Sequence, residues 1–224
     1  MAPIAKLHPK HTVFFLCDLQ TRFKTAIYGY DELVLTANKM LKIAKVLEIA
    51  VVVTEQNPKG KDGGPQASDR NFHYCTGLGN TDPDIDLASL GALHIATIDK
   101  TLFSMVTPEV TALLGARTDI NSVVLFGIES HVCVLQSALD LLELGYDVHI
   151  LADGVSSCNK EEVPYALARI RQAGGYITTS ESASFQLQRD SGTPRFKAFS
   201  NIVKEDKDST KRVLQTLLQY RSSL

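Results

Sequence analysis

The segment Ser122-Val-Val-Leu-Phe-Gly-Ile-Glu-Ser-His-Val-Cys133 decides the fold, because it joins an apolar strand pattern to a helical one. The part from Ser122 to Gly127 is a short apolar run rich in β-branched residues, which is typical of a parallel strand buried on both faces. The part that follows begins a helical pattern that ends at Gly145. Its apolar stripe is formed by Val132, Leu135, Leu139 and Leu142. A strand that leads directly into a helix predicts an α/β architecture.

The same kind of apolar run recurs along the chain and predicts five further strands: Thr12 to Cys17, Ala50 to Thr54, Leu93 to Ile98, Asp147 to Ala152 and Tyr176 to Thr178. Helical patterns lie between several of them, one starting after Asp31 as N-cap and one running from Asn159 to Gly174. Parallel strands need crossover connections, so the alternation predicts a three-layer, doubly wound, Rossmann-like α/β fold with about six parallel strands and helices on both faces.

The chain of 224 residues is expected to hold one main domain over residues 1–190 and a C-terminal extension over residues 191–224. In that extension, a polar segment from Lys204 to Lys211 is predicted to link to an amphipathic stretch from Val213 to Tyr220, which packs on the domain or on a neighbouring subunit. The stretch from Glu55 to Ser89 is rich in glycine and proline and is too long for a turn. It is predicted to be a lid or a subunit-contact loop.

Charge and cysteine content narrow the class of partner and the compartment. Lys and Arg total 23 against 25 Asp and Glu, so no overall field favours nucleic acid or an anionic membrane, and a small molecule is the expected partner. No apolar stretch of signal-peptide length lies near the N-terminus, and no apolar run anywhere reaches the ~18 residues of a membrane span. The four cysteines show no paired spacing, which indicates reduced, intracellular thiols. We expect a cytoplasmic protein, and a mitochondrial or peroxisome-like location stays open.

Three chemically active residues stand at the ends of three predicted strands: Asp18, Lys100 and Cys133. In a doubly wound sheet these ends share one edge. With Ser130 as N-cap, Cys133 falls in the first turn of a helix, where backbone N–H groups and the helix dipole favour a thiolate and an oxyanion. Taken singly, each residue has an ordinary structural interpretation: a buried small cysteine, an aspartate that caps a turn and a solvated lysine. Their joint placement favours catalysis.

The sequence resembles the isochorismatase-like cysteine hydrolase superfamily over about residues 10 to 185, and within it the isochorismatase domain-containing subgroup. The resemblance rests on Asp18-Leu19-Gln20 with Phe23, on Lys100, and on the run from Gly127 to Cys133. It implies a hydrolase with an Asp–Lys–Cys triad, in which Asp18 takes the thiol proton, Cys133 attacks a carbonyl and Lys100 favours the charged forms of both.

The resemblance also implies a non-proline cis peptide bond between Ile128 and Glu129, which turns the amides of Glu129 and Cys133 toward one oxyanion. Its aromatic position falls on Phe23, and Gln20, Ser130 and Phe103 complete the predicted substrate pocket. Family habit implies a homo-oligomer, either a dimer or a tetramer.

No metal and no cofactor are expected. Nicotinamidases of this superfamily carry one aspartate and two histidine ligands after the second strand, whereas this chain continues there as Thr54-Glu55-Gln56-Asn57-Pro58-Lys59-Gly60. His73 and His94 lack ligand spacing and are interpreted as ordinary polar histidines.

The leading hypothesis is therefore a metal-independent hydrolase that attacks a small amide, imide or ester carbonyl and forms a thioester at Cys133. One alternative is a catalytically weak interaction or oligomerisation module with the same fold. Ribonuclease activity is a further alternative. It is ranked lower, because the sequence offers no basic stripe with interleaved aromatic residues that would bind RNA.

Overall fold

The strands lie where the apolar runs predict them, in a computed structural model that describes residues 4–59 and 77–218. They are β1 (Thr12–Cys17), β2 (Ala50–Gln56), β3 (His94–Lys100), β4 (Ser122–Ile128), β5 (Asp147–Ser156) and β6 (Tyr176–Thr178). All pair in parallel within one sheet, in the order β3-β2-β1-β4-β5-β6. The predicted doubly wound α/β fold is confirmed.

Helices cover both faces of this sheet. They are α1 (Tyr30–Leu47), α2 (Pro108–Gly115), α3 (Leu135–Glu143), α4 (Glu162–Gln172), α5 (Ser180–Gln188), α6 (Phe196–Glu205) and α7 (Lys207–Leu218). The apolar residues of α1, α5, α6 and α7 form one buried cluster with the sheet, and those of α2, α3 and α4 form a second. Every residue of β1 is buried, because alternate side chains enter the two clusters: Phe14 and Leu16 the first, Val13, Phe15 and Cys17 the second.

The direction of the crossovers reverses between β1 and β4: β2 and β3 lie on one side of β1, and β4, β5 and β6 lie on the other. In open parallel sheets, ligands bind at the carboxyl ends of the strands beside such a switch point. Asp18 follows β1 directly, and Glu129 follows β4. The fold therefore places two of the predicted site segments at the position where a doubly wound sheet has a crevice.

Both predicted N-caps are wrong by one or two residues. Gly29 caps α1 in the left-handed conformation (φ 64°), and Asp31 lies in the first turn. A glycine accepts this backbone conformation without strain, which explains the earlier start. Glu129 rather than Ser130 precedes the helical turn that contains Cys133.

The C-terminal part is more helical than predicted. The segment from Lys204 to Lys211, expected as a polar link, is helical on both sides of Asp206. Helix α7 lies against α1: Arg212 Nε donates to Glu32 Oε1, and Lys39 Nζ donates to Thr210 Oγ1 at 3.0 Å. Residues beyond 218, including Tyr220, lie outside the described residues. So do positions 60–76 of the predicted loop, among them His73 and Cys75.

Candidate active site

The Asp18 carboxylate lies at the end of β1 and is almost fully buried. The backbone of Asp18 is in the left-handed conformation (φ 50°), which turns the chain sharply out of the strand. Lys100 Nζ donates to its Oδ2 at 2.7 Å, and Thr54 Oγ1 donates to its Oδ1 at 2.7 Å. Each carboxylate oxygen keeps a second lone pair, so the group is held in place and can still accept a proton.

The Lys100 ammonium, at the end of β3, has four oxygen neighbours. It donates to Asp18 Oδ2, to Gln56 Oε1 at 2.6 Å, and to the carbonyl oxygens of Leu102 and Phe103 at 3.1 and 3.0 Å. Burial lowers the pKa of Lys100, but the Asp18 carboxylate and the Cys17 and Cys133 thiols outweigh it and raise the pKa above its usual value. A buried lysine with these neighbours stays charged.

The Cys133 thiol is 2% exposed and lies in a short π-helical turn, Ser130–Val134, that continues into α3. The Val134 amide donates to the Glu129 carbonyl at 3.1 Å, five residues back, which makes this turn wider than an α-helical one. Single π-turns of this kind are common at functional sites. Cys133 thus lies in the first turn after β4, at the positive end of the helix dipole.

The other thiols differ from Cys133 in their surroundings. Burial raises the pKa of Cys158 to about 12, with a further contribution from Glu129, whose Oε2 accepts from the Cys158 amide at 2.8 Å. Burial also raises the pKa of Cys17 well above its usual value, followed by a hydrogen bond with Cys133 and the charge of Asp18. Both groups are held as neutral thiols.

The peptide bond between Ile128 and Glu129 is cis, at the position that the resemblance implies. Glu129 itself is buried. Ser130 is also fully buried, and its hydroxyl has no hydrogen-bond partner among the residues that the structure describes. His131 Nδ1 lies 2.9 Å from Ser157 Oγ, so its ring contacts the loop after β5.

The remaining predicted pocket residues have different surroundings. Phe103 is 37% exposed at the edge of the site, and its carbonyl oxygen binds Lys100. Phe23 is buried in the apolar cluster beneath α1. The side-chain amide of Gln20 is fully used by backbone: its Nε2 donates to the carbonyl oxygens of Gln56 and Gly79, and its Oε1 accepts from the Gln56 amide. Gln20 therefore joins the end of β2 to the segment at Gly79.

Sequence reasoning missed two residues that contact the site, Thr54 and Gln56. Thr54 pairs with Cys17 in the register of β1 and β2, and Gln56 pairs with Lys100 in the register of β2 and β3. In the sequence, both are polar residues near the carboxyl end of β2, the strand that lies between β1 and β3 in the sheet. This pattern becomes informative only once the strand register is known.

The end of β2 uses its polar groups within the protein. Glu55 Oε1 accepts from the amide and the hydroxyl of Thr81 at 2.6 and 2.7 Å, and Gln56 binds Lys100. Within residues 4–59 and 77–218, no group of three or more His, Cys, Asp or Glu side chains is arranged to hold a metal ion. In the same ranges, no helix has the length and apolar character needed to cross a membrane.

Comparison with known proteins identifies relatives over most of the chain. A family model described as the isochorismatase domain matches residues 12–182. Isochorismatase domain-containing protein 2 of Xenopus laevis is 42% identical over 202 residues, which cover 90% of this chain and 88% of that protein. Isochorismatase domain-containing protein 2A of Mus musculus is 39% identical over 204 residues, with 91% and 88% covered.

Solved structures with the same fold include the following two. One, described as the MAR1 ribonuclease of Caenorhabditis elegans, has a TM-score of 0.74 and 34% identity and covers 89% of this chain and 93% of its own. The YcaC gene product of Escherichia coli, described as an octameric hydrolase of unknown specificity, has a TM-score of 0.73, 18% identity and coverages of 96% and 98%. At that identity the second likeness concerns the fold alone.

Proposed function

This chain belongs to the isochorismatase family, and on that premise we propose that it hydrolyses a small amide, imide or ester through a thioester formed at Cys133. The observation that carries the proposal is the buried ion pair of Asp18 and Lys100, whose ammonium interacts with the Cys133 thiol in the first turn of a helix. A buried carboxylate and a buried ammonium beside a thiol are typical of a site that creates and stabilises a thiolate.

The proposed reaction has two stages. Asp18 takes the proton of the Cys133 thiol, and the sulfur attacks the substrate carbonyl carbon to give a tetrahedral oxyanion. The oxyanion collapses, the bond to the leaving group breaks, and Asp18 returns the proton to that leaving group. Water, deprotonated by Asp18, then attacks the thioester and releases the acid and the Cys133 thiol.

Lys100 acts by charge in this scheme. Its ammonium protons are engaged by four oxygens, and its raised pKa keeps it protonated. A cation fixed in this way stabilises the negative charge that passes between Asp18 and Cys133 without moving a proton itself.

The turn formed by Ile128, Glu129 and Cys133 is the proposed oxyanion site, because backbone amides at the start of a helix point toward negative charge. Ser130 is proposed to contact the substrate, since its buried hydroxyl has no hydrogen-bond partner in the described part of the chain. Buried hydroxyls rarely stay unpaired. Phe103 is proposed as a pocket wall at the exposed edge of the site.

The proposal needs no metal, because the reacting groups are supplied by side chains and the polar groups at the end of β2 bind Thr81 and Lys100 instead. We further propose a homo-oligomer. We also propose an intracellular location, because Cys17, Cys133 and Cys158 are free thiols in the described part of the chain.

Alkylation with iodoacetamide, followed by peptide mass mapping, tests the nucleophile without knowledge of the substrate. We expect Cys133 to react faster than Cys17, Cys75 and Cys158, and a panel of small amides, imides and esters to be hydrolysed by wild type but not by Cys133→Ala. Cys158→Ala is the matched control, because it removes a thiol whose pKa is raised to about 12. Equal turnover by wild type and Cys133→Ala would refute the proposal.

Ribonuclease activity is the second candidate, because the Caenorhabditis elegans relative at 34% identity bears that name. The net charge of −2 speaks against an RNA-binding surface. RNA cleavage by highly purified wild type that is lost in Cys133→Ala would favour it. No triad-dependent turnover of either kind, together with a stable protein partner, would favour the interaction module.

A further inference from the structure

Ser137 lies near the start of α3, is fully buried, and has no role in the scheme above. Its hydroxyl donates to the carbonyl oxygen of Cys133 at 2.6 Å and accepts from the backbone amide of Met105 at 2.7 Å. A hydroxyl has a single proton to donate, so the donor is used by the nucleophile residue and a lone pair by another part of the chain. Ser137 thus bridges two segments that are distant in sequence.

The first of these bonds acts on the turn that holds the nucleophile. Cys133 lies in the π-helical turn Ser130–Val134, and α3 begins at Leu135. A serine hydroxyl that bonds to the carbonyl oxygen four residues back can bend a helix locally. The Ser137 hydroxyl therefore holds the backbone of Cys133 at the junction where the wider turn passes into the α-helix.

The second bond acts on segment 101–107, which joins β3 to α2 without a helix or strand of its own. In this segment, the carbonyl oxygens of Leu102 and Phe103 accept from Lys100 Nζ at 3.1 and 3.0 Å. Met105 is fully buried, so its amide needs an acceptor within the protein. The segment is fixed on one side by Lys100 and on the other by Ser137.

We infer that Ser137 is a positioning residue, which fixes the Cys133 turn against the segment that binds the Lys100 ammonium and carries Phe103. Attack of the sulfur on a carbonyl depends on the alignment of the nucleophile with its neighbouring charges, and a displacement of about 1 Å can slow such a step ~10²-fold. The inference rests on the proposed function, because it takes Cys133 as the nucleophile.

Ser184 in α5 makes the same kind of bond on the other side of the sheet. It is fully buried, and its hydroxyl donates to the carbonyl oxygen of Ser180, four residues back, at 2.6 Å. Its neighbours Ala183 and Leu187 belong to one apolar cluster, whereas Cys133 belongs to the cluster on the opposite face. Ser184→Ala therefore removes an equivalent buried bond away from the site.

The test compares Ser137→Ala with wild type in two measurements. The first is amide hydrogen exchange, read by mass spectrometry on peptides from segment 101–107. We expect exchange at Met105 to become about 5- to 10-fold faster, because its buried amide loses its acceptor. The second is the rate at which p-nitrophenyl acetate acetylates Cys133, read by peptide mass mapping. We expect this rate to fall ~10-fold or more, since attack on a carbonyl needs the aligned turn.

Two further variants separate positioning from stability. Ser184→Ala is the matched control for a lost buried hydroxyl, and we expect it to be less stable in urea but to keep the wild-type result in both measurements. Ser137→Thr keeps a hydroxyl at the same position. Its added methyl is expected to lower stability, while acetylation of Cys133 stays within about 2-fold of wild type.

Unchanged exchange at Met105 or unchanged acetylation of Cys133 in Ser137→Ala would overturn the inference. So would an equal loss of acetylation in Ser184→Ala or in Ser137→Thr. Failure of the proposed function shows instead in wild type alone, as a Cys133 that is acetylated no faster than the other thiols. Exchange at Met105 reports on the bridge in either case.

Discussion

The buried ion pair between Lys100 and Asp18 gives the strongest stability prediction. Its N–O distance of 2.7 Å corresponds to a Coulomb energy of about 6 kcal/mol at an effective dielectric constant of about 20. Both side chains are essentially without solvent contact. Removing one partner leaves a buried charge unpaired, and we expect Lys100→Met and Asp18→Asn each to lower the free energy of unfolding by about 3 to 5 kcal/mol.

The double variant, Asp18→Asn with Lys100→Met, removes both charges together. We therefore expect it to lose less than the sum of the single variants, with a coupling energy of about 3 to 5 kcal/mol in the double-mutant cycle. The assay is urea unfolding at pH 7, followed by circular dichroism. Proteolysis of each purified variant shows beforehand that it is folded.

The exposed pair Lys24 and Asp84, joined at 2.9 Å, is the matched control. The same cycle with Lys24→Met and Asp84→Asn is expected to give a coupling too small to measure, because solvent screens both charges. Strictly additive losses at Asp18 and Lys100, or equal coupling in the two pairs, would refute the assignment of a strong buried interaction to the site.

Three further predictions follow from single contacts. Thr54→Val removes the hydroxyl that donates to Asp18. In urea and activity assays, we expect it to lower the free energy of unfolding by about 1.5 to 3 kcal/mol and to slow Cys133-dependent hydrolysis. Thr54→Ser keeps the hydroxyl, and both quantities should stay near those of wild type. Burial lowers the pKa of His149 to about 4 from its ordinary 6.5. As the pH falls from 7 to 5, the unfolded chain therefore binds a proton at this residue that the folded chain does not bind, and the free energy of unfolding decreases. In urea titrations, His149→Leu is expected to abolish about 2 kcal/mol of this decrease. Gly127→Ala is expected to lower the midpoint of thermal unfolding strongly, because the φ of 126° and the backbone of β1 leave no room for a Cβ. Gly115 has open space around it, so Gly115→Ala should leave the midpoint nearly unchanged. Calorimetry measures both midpoints.

The strand pattern was readable from the sequence because strands buried on both faces are nearly continuous apolar runs. Helix starts were harder to place. The sequence favours Asp31 and Ser130 as N-caps, but the helical turns begin after Gly29 and Glu129. Side-chain preference at a cap is worth about 1 kcal/mol, and the packing of the preceding loop outweighs it.

The sequence by itself determined the α/β class, the parallel sheet and the arrival of Asp18, Lys100 and Cys133 at one edge, because chain polarity brings the carboxyl ends of parallel strands together. Only the tertiary structure decided which groups touch them. Thr54 and Gln56 reach Asp18 and Lys100 through the register of β2 with its neighbours. Strand register depends on side-chain packing between segments distant in sequence, so no local pattern reveals it.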